Sequence, residues 1–290
     1  MKSAPFTYHR PTSETELGEL LLAHDGAKLL AGGQSLLAMM NLRYVQPDHV
    51  IDLAALAHLK GVMLVNNLAV VGAMTTQAQL MTDTVISAHC PLMVGALRHV
   101  GHRQTRSRGT LGGSLCHLDP AAELPAVALC HDAVLEIVSA SGRRDVGIED
   151  WFIAYMTPAL GEGEYLSRIR LASKPKGHGW GFREFARRQG DFALAGAACL
   201  LIVDDEQRIS DARAVVFGVE TRPRRLSAVE AALIGSAPSA ALFARLTSET
   251  RALEAVDDAY ASGAYRRRLG GVMLGQALTD AARRATGGLA

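Results

Sequence analysis

Two short glycine-centred segments hold residue types suited to gripping a polyanion. Gly32-Gly33-Gln34-Ser35 follows a brief apolar run, and Thr110-Leu111-Gly112-Gly113-Ser114 follows the polar, arginine-rich stretch His102 to Arg108. Glycine permits positive φ and lets backbone N–H groups reach a ligand with no Cβ in the way. Gln34, Ser35, Thr110 and Ser114 add neutral donors, and neither turn contains arginine or lysine. That combination suits phosphates bound mainly by backbone, and two such nests in one domain would hold the two phosphates of a dinucleotide. Taken singly, each glycine pair reads first as an ordinary tight turn.

Other chemistries find less support. No P-loop signature and no G-x-G-x-x-G occurs, so a dinucleotide needs an architecture other than the Rossmann fold. Gly177, Gly179 and Gly181 alternate and read as a domain linker. His99, His102, Cys116 and His117 match no zinc spacing, H-E-x-x-H is absent, and no protein-bound metal is expected. Ser35 and Ser114 lie outside G-x-S-x-G, so cofactor contact is the better reading and no catalytic side chain is assigned. Arg103, Arg106 and Arg108 read as a solvated loop or as a contact for a phosphate or an acidic partner, and Arg266 to Arg268 as the wet face of a helix.

The elements that must position these turns are legible from local signals. Ser13 and Glu16 have capping-box spacing ahead of a leucine-rich helix running to about His24, followed by a buried strand from Lys28 to Ala31. After the first glycine turn come a short helix, Leu36 to Leu42, and a strand, His49 to Leu53. Asn66-Asn67 joins Val62–Val65 to Leu68–Gly72 as a two-residue hairpin, with helices predicted over Thr75 to Met81 and Pro91 to Val100. Beyond the second turn, the sequence predicts a helix over Ala121 to Cys130, a hairpin at Ser141-Gly142 and a strand from Tyr165 to Leu171. Lys174 to Gly177 reads as a linker, and a smaller α+β domain follows with strands at Ala195 to Val203 and Ala212 to Gly218.

Composition bounds the class. A chain of 290 residues makes about two compact domains, and 49% hydrophobic against 20% charged residues marks it as globular. A formal net charge of +1 offers no global field for nucleic acid or an anionic membrane. No secretory signal and no long apolar span is visible, so a cytoplasmic location is expected. Cys90, Cys116, Cys130 and Cys199 are too scattered for a C-x-x-C pair, which argues against a disulfide scaffold and against an iron–sulfur cluster in this chain.

Ala31-Gly32-Gly33-Gln34-Ser35-Leu36-Leu37, Thr110 to Ser114 and Asp119-Pro120-Ala121-Ala122-Glu123-Leu124-Pro125 together resemble the FAD-binding subunit of the xanthine dehydrogenase and carbon monoxide dehydrogenase family. The likeness continues through Arg187 to Ala193 and Tyr265 to Arg268, so it covers nearly the whole chain. The resemblance implies an α+β protein: a two-lobed FAD-binding domain over residues 1–175, with lobes of about 1–58 and 59–175, then a C-terminal domain of the carbon monoxide dehydrogenase flavoprotein type over 176–290. It implies that Ala31 to Leu37 wraps the pyrophosphate, with Leu36 and Leu37 near the flavin ring, and that Thr110, Leu111, Gly112, Gly113 and Ser114 bind its other side. Glu123 falls where the family has a carboxylate bonded to the cofactor, Val100 and Leu166 at apolar contacts, and Arg183 where the animal xanthine enzymes place a lysine. Asp191 and Phe192 match an element beside the isoalloxazine, although Phe192 also reads as a core phenylalanine after a turn.

The function so implied is electron transfer through FAD in a molybdenum hydroxylase. The large partner subunit would carry the molybdenum–pterin cofactor and the small iron–sulfur subunit two [2Fe–2S] clusters, in a dimer of heterotrimers. A self-contained flavin oxidase or dehydrogenase is the alternative, but no covalent flavin-attachment motif is evident. A nucleotide-binding interaction protein without redox chemistry is a third reading.

Overall fold

The computed structural model describes residues 2–175 and 177–287, so residue 176 of the expected linker and residues 288–290 lie outside the described residues. The first lobe is a small parallel sheet of order β1-β3-β2, built from β1 (Thr7–His9), β2 (Lys28–Leu30) and β3 (His49–Asp52). Helix α1 (Glu14–Ala23) starts at Ser13, whose side chain accepts the Glu16 N–H, and buries Leu17 against Ile51, Leu53 and Leu56. Helix α2 (Leu36–Asn41) follows the first glycine turn. β2 is not a buried strand: it lies at the sheet edge, with Lys28 exposed and Leu29 and Leu30 half-buried.

The second lobe carries an antiparallel sheet of order β4-β5-β10-β6-β7. Its first hairpin, β4 (Val62–Val65) and β5 (Leu68–Gly72), turns at Asn66 and Asn67 with φ of 48° and 64°, the left-handed pair that a two-residue hairpin requires. Helices α3 (Gln77–Thr82), α4 (Thr84–His89), α5 (Pro91–Leu97), α6 (Arg103–Arg108), α7 (Leu111–His117) and α8 (Glu123–Cys130) come next. Then follow β6 (Val134–Ser139), β7 (Gly142–Gly147), a single turn α9 (Ile148–Trp151), the small pair β8 (Phe152–Ala154) and β9 (Thr157–Pro158), and β10 (Tyr165–Ala172). Trp151 is fully buried and its indole donates to the Leu115 carbonyl at 2.7 Å, tying α9 to α7.

Two expectations fail in this lobe. Within the stretch 102–108, Arg103–Arg108 is helix α6 rather than a loop, and α5 ends at Leu97 rather than Val100. Arg106 explains both: its guanidinium donates to the Val100 carbonyl at 2.7 Å and to the Gly101 carbonyl at 3.1 Å, holding a turn in which Gly101 has φ of 45°.

The C-terminal part is an antiparallel sheet, β11 (Gly179–Ala186), β12 (Ala193–Val203), β13 (Ile209–Phe217) and β14 (Arg224–Arg225), with helices α10 (Ser227–Leu233), α11 (Ala240–Leu246) and the long α12 (Gly263–Ala285). One face, through Phe182, Ala198, Leu200, Val215 and Phe217, joins the core of the second lobe. The other, through Ala195, Ala197, Cys199, Leu201 and Val216, packs on α12. Burial on both faces is why β12 is an unbroken apolar run.

Gly179 and Gly181 are therefore not linker residues. A Cβ on Gly179 would stand 1.8 Å from the Ala281 carbonyl oxygen and one on Gly181 1.9 Å from that of Ala277, so their bare backbone is what lets α12 lie against β11. Arg266 is not on a wet face either: it is 5% exposed and donates to the Leu194 and Gly218 carbonyls at 2.7 and 2.8 Å while pairing with Asp258.

Candidate functional site

The two glycine segments meet in space. A Cβ on Gly32 would collide with the Arg108 carbonyl oxygen at 2.1 Å and approach the Gly109 Cα at 2.8 Å, and one on Gly113 would lie 3.4 Å from the Ala31 Cβ. Gly33 holds φ of 73°, a conformation that L side chains rarely adopt, and so turns the chain from β2 into α2. Among the described residues, the backbone N–H groups of Gly32, Gly33, Gln34 and Ser35 donate to no protein acceptor. The Gln34 amide donates to the Gly32 carbonyl at 3.1 Å and braces the turn. Leu36 is half-buried, whereas Leu37 is 40% exposed.

The second segment differs from the free nest expected of it. Thr110 caps α7, its hydroxyl accepting the Gly113 N–H at 3.0 Å. The N–H groups of Leu111, Gly112 and Ser114 donate to the carbonyls of Thr75, Ala73 and Thr110 at 3.1, 2.9 and 3.2 Å. Gly112 is needed for packing, since a Cβ there would sit 2.6 Å from the Ala73 side chain, and Leu111 is fully buried. Half-buried Ser114 keeps its hydroxyl, and the segment's main work is to brace the first turn.

Beyond α7, Leu118 takes φ of 52° and Asp119 accepts the Ala121 N–H at 2.8 Å, which delivers the chain to Glu123 at the start of α8. Glu123 is 5% exposed, and burial first, then the charge of Glu184, pushes its carboxyl up to about 8. It is therefore mostly a neutral acid at pH 7, able to donate a hydrogen bond. The Glu184 side chain is also 5% exposed: one oxygen lies 3.3 Å from His99 Nδ1, and the other is buried without a partner. Glu184 escaped the sequence reading, and His99 entered it only as part of a rejected metal group. The signal was strand alternation, because Glu184 lies on the same face as Phe182, whose ring lies 5.2 Å from His99.

The same alternation turns Arg183 to the opposite face. It faces α12, bonds Asp280 at 2.6 Å and lines a cavity of about 410 Å³ with Phe243, Gln276 and Thr279. Arg183 is thus engaged in an ion pair on the face of the sheet turned to α12. Gly190, with φ of 86°, packs its turn on Gly101 and His102, so residues 187–192 lie beside the end of α5. Asp191 is exposed, and Phe192 is 56% exposed, which removes the core reading of that ring. Val100 and Leu166, at 9% and 4% exposure, belong to the main core.

Comparison with known proteins identifies the family of the whole chain. Residues 4–173 match the family model described as the FAD binding domain in molybdopterin dehydrogenase, and residues 180–281 the CO dehydrogenase flavoprotein C-terminal domain. The nicotine 6-hydroxylase medium subunit of Paenarthrobacter nicotinovorans is 36% identical, over 98% of this chain and 100% of that one. The solved carbon monoxide dehydrogenase of Hydrogenophaga pseudoflava superposes with a TM-score of 0.95 at 32% identity, covering 98% of this chain and 99% of that one. Quinoline 2-oxidoreductase of Pseudomonas putida 86 gives 0.94 at 32% identity, with 98% and 99% covered. A chain matched over nearly its full length by such relatives, with these two domains in this order, belongs to the FAD-binding medium-subunit family of the molybdenum hydroxylases and is an oxidoreductase subunit.

Proposed function

We propose that this chain holds FAD in a domain of residues 1–175, between lobes 1–58 and 59–175, with residues 176–290 as the companion domain. It serves as the electron-transfer subunit between a small subunit bearing two [2Fe–2S] clusters and an external acceptor. A large subunit carries the molybdenum–pterin cofactor, and the set assembles as a cytoplasmic dimer of heterotrimers. The relatives named as medium subunits or medium chains support the heteromeric reading. Among the described residues no helix is long and apolar enough to cross a membrane.

The observation that carries the proposal is the glycine junction: four consecutive backbone donors, unused by the protein, held rigid against a second glycine segment. FAD, when bound, supplies the exchange of electrons singly or in pairs. The chain's own residues bind and orient. Gly32 to Ser35 donate to the pyrophosphate, the Ser114 hydroxyl adds a further donor, and Leu37 and Phe192 offer exposed apolar surface to the ring. Glu123 offers a protonated carboxyl to a cofactor acceptor, and the core residues Val100 and Leu166 give apolar backing.

The test is the visible absorption of the purified chain, with the released compound identified by mass. The expected result is one FAD per chain in the wild type and loss of flavin in Gly33→Val and Phe192→Ala. Phe192 is exposed, so its removal leaves the fold intact. Wild-type flavin content in both variants sinks the loop assignment. A folded, colourless chain that refuses added FAD supports instead the nucleotide-binding reading without redox chemistry.

A further inference from the structure

Three histidines converge at the end of the first lobe away from the glycine turn. His9 closes β1, His49 opens β3 and His24 caps the C-terminal end of α1. The register explains the meeting. Thr7 pairs with His49 and His9 with Ile51, so His9 and His49 lie on the face that Ile51 buries under α1. The end of α1 brings His24 over that same face. His9 Nε2 lies 3.0 Å from His49 Nδ1, the His24 and His49 rings stack at 3.9 Å, and those of His9 and His24 at 4.7 Å. One nitrogen from each ring lies within 4.8 Å of the others, and all three residues are half-buried, which leaves them reachable.

What sets this cluster apart is that three rings converge with few other partners. His131 meets the Ala172 carbonyl, His178 that of Pro175 and His89 the Ser173 hydroxyl. Among the described residues, the only side-chain hydrogen bond of these three is the one between His9 and His49, His24 touches both by ring stacking, and none of the three lies in a salt bridge. The nearby acid Asp52 is on the opposite face, engaged by the Tyr8 hydroxyl at 2.5 Å and the Ala54 N–H at 2.8 Å. Imidazoles gathered without a bonded carboxylate are ligands for borderline divalent metals rather than for calcium or magnesium.

We propose that His9, His24 and His49 form a three-histidine site for a divalent transition metal of the zinc type. Zinc bonds imidazole nitrogen at about 2.0–2.1 Å, which sets tetrahedral ligand atoms about 3.3 Å apart. Closing from the present spacing takes modest ring rotations on a fixed backbone, and water completes the coordination. The metal joins β1, β3 and the end of α1, so its role is to clamp the first lobe, independently of flavin binding.

The experiment uses the full chain, stripped with a chelator and titrated with zinc chloride against a chromophoric competitor, alongside His24→Gln and the triple variant His9→Gln/His24→Gln/His49→Gln. The expected result is one zinc per chain, affinity more than about tenfold weaker in His24→Gln and no site in the triple variant. Zinc should also raise the melting temperature of the wild type alone. Unchanged flavin content in the variants shows that they fold. X-ray absorption of the zinc-loaded wild type should report three imidazole nitrogens, a readout that does not depend on any variant folding. Equal affinity in wild type and His24→Gln, or fewer than three imidazoles, overturns the site.

Discussion

Glu123 is a single carboxyl whose burial sets a measurable pH response. Its group titrates near 4.5 when free and is pushed up to about 8 by burial and by Glu184. The folded form therefore holds a proton that the unfolded chain releases, and this group weakens the FAD-free chain progressively as pH rises from 4.5 to 8, with no further change above. The effect at pH 7 is on the order of 3 kcal/mol. Glu123→Gln keeps the shape and removes the charge, so denaturant unfolding should show the variant gaining on the wild type over that pH range. Parallel pH profiles would refute it. The importance of Glu123 was legible from its motif, but its protonation was not, because the carboxylate that reinforces it comes from a strand far along the chain. Arg183 shows the converse: neighbouring residues on a strand point to opposite faces, and the motif alone does not say which face is which.

At the scale of elements, the close approach of α12 to β11 depends on two missing side chains. Gly181→Val would place its Cβ 1.9 Å from the Ala277 carbonyl oxygen, where a backbone cannot yield cheaply. The expected cost is at least about 3 kcal/mol, read as a lowered urea midpoint or loss of folded protein. A milder change tests the brace of the site: Thr110→Ala removes the hydroxyl that accepts the Gly113 N–H and should cost about 1 kcal/mol and weaken flavin retention. Wild-type stability in Thr110→Ala would show that the cap carries no load. Most elements were legible because the Ser13 cap, the Asn66-Asn67 turn and leucine periodicity are local. The start of β11, Gly179 and Gly181, was read as a linker because such glycines signal flexibility unless α12 is known to lie on them.

In the whole molecule, the C-terminal sheet shares one core with the second lobe, and ions lock the edge of that junction. Asp132 receives Arg225 at 2.7 Å and Arg213 at 3.0 Å. Beside it His131 is fully buried, with Nδ1 bonded to the Ala172 carbonyl at 2.8 Å, and burial lowers its pKa to about 4. The unfolded chain binds a proton below about 6.5 that the folded chain refuses until about 4, so this histidine withdraws up to about 3 kcal/mol of stability as pH falls through that window. His131→Gln should flatten the acid limb of an unfolding profile, and an unchanged limb would count against the assignment. By itself, the sequence determined the α+β class, the first glycine turn and the family motif, because these rest on composition, local backbone preference and short contiguous patterns. Only the tertiary structure decided that the second glycine segment spends its N–H groups internally, that Glu184 rather than Arg183 faces Glu123, and that three histidines spaced along the first lobe share one face. Those outcomes depend on strand register and on which element covers which face, and both are set by packing between residues far apart in the chain.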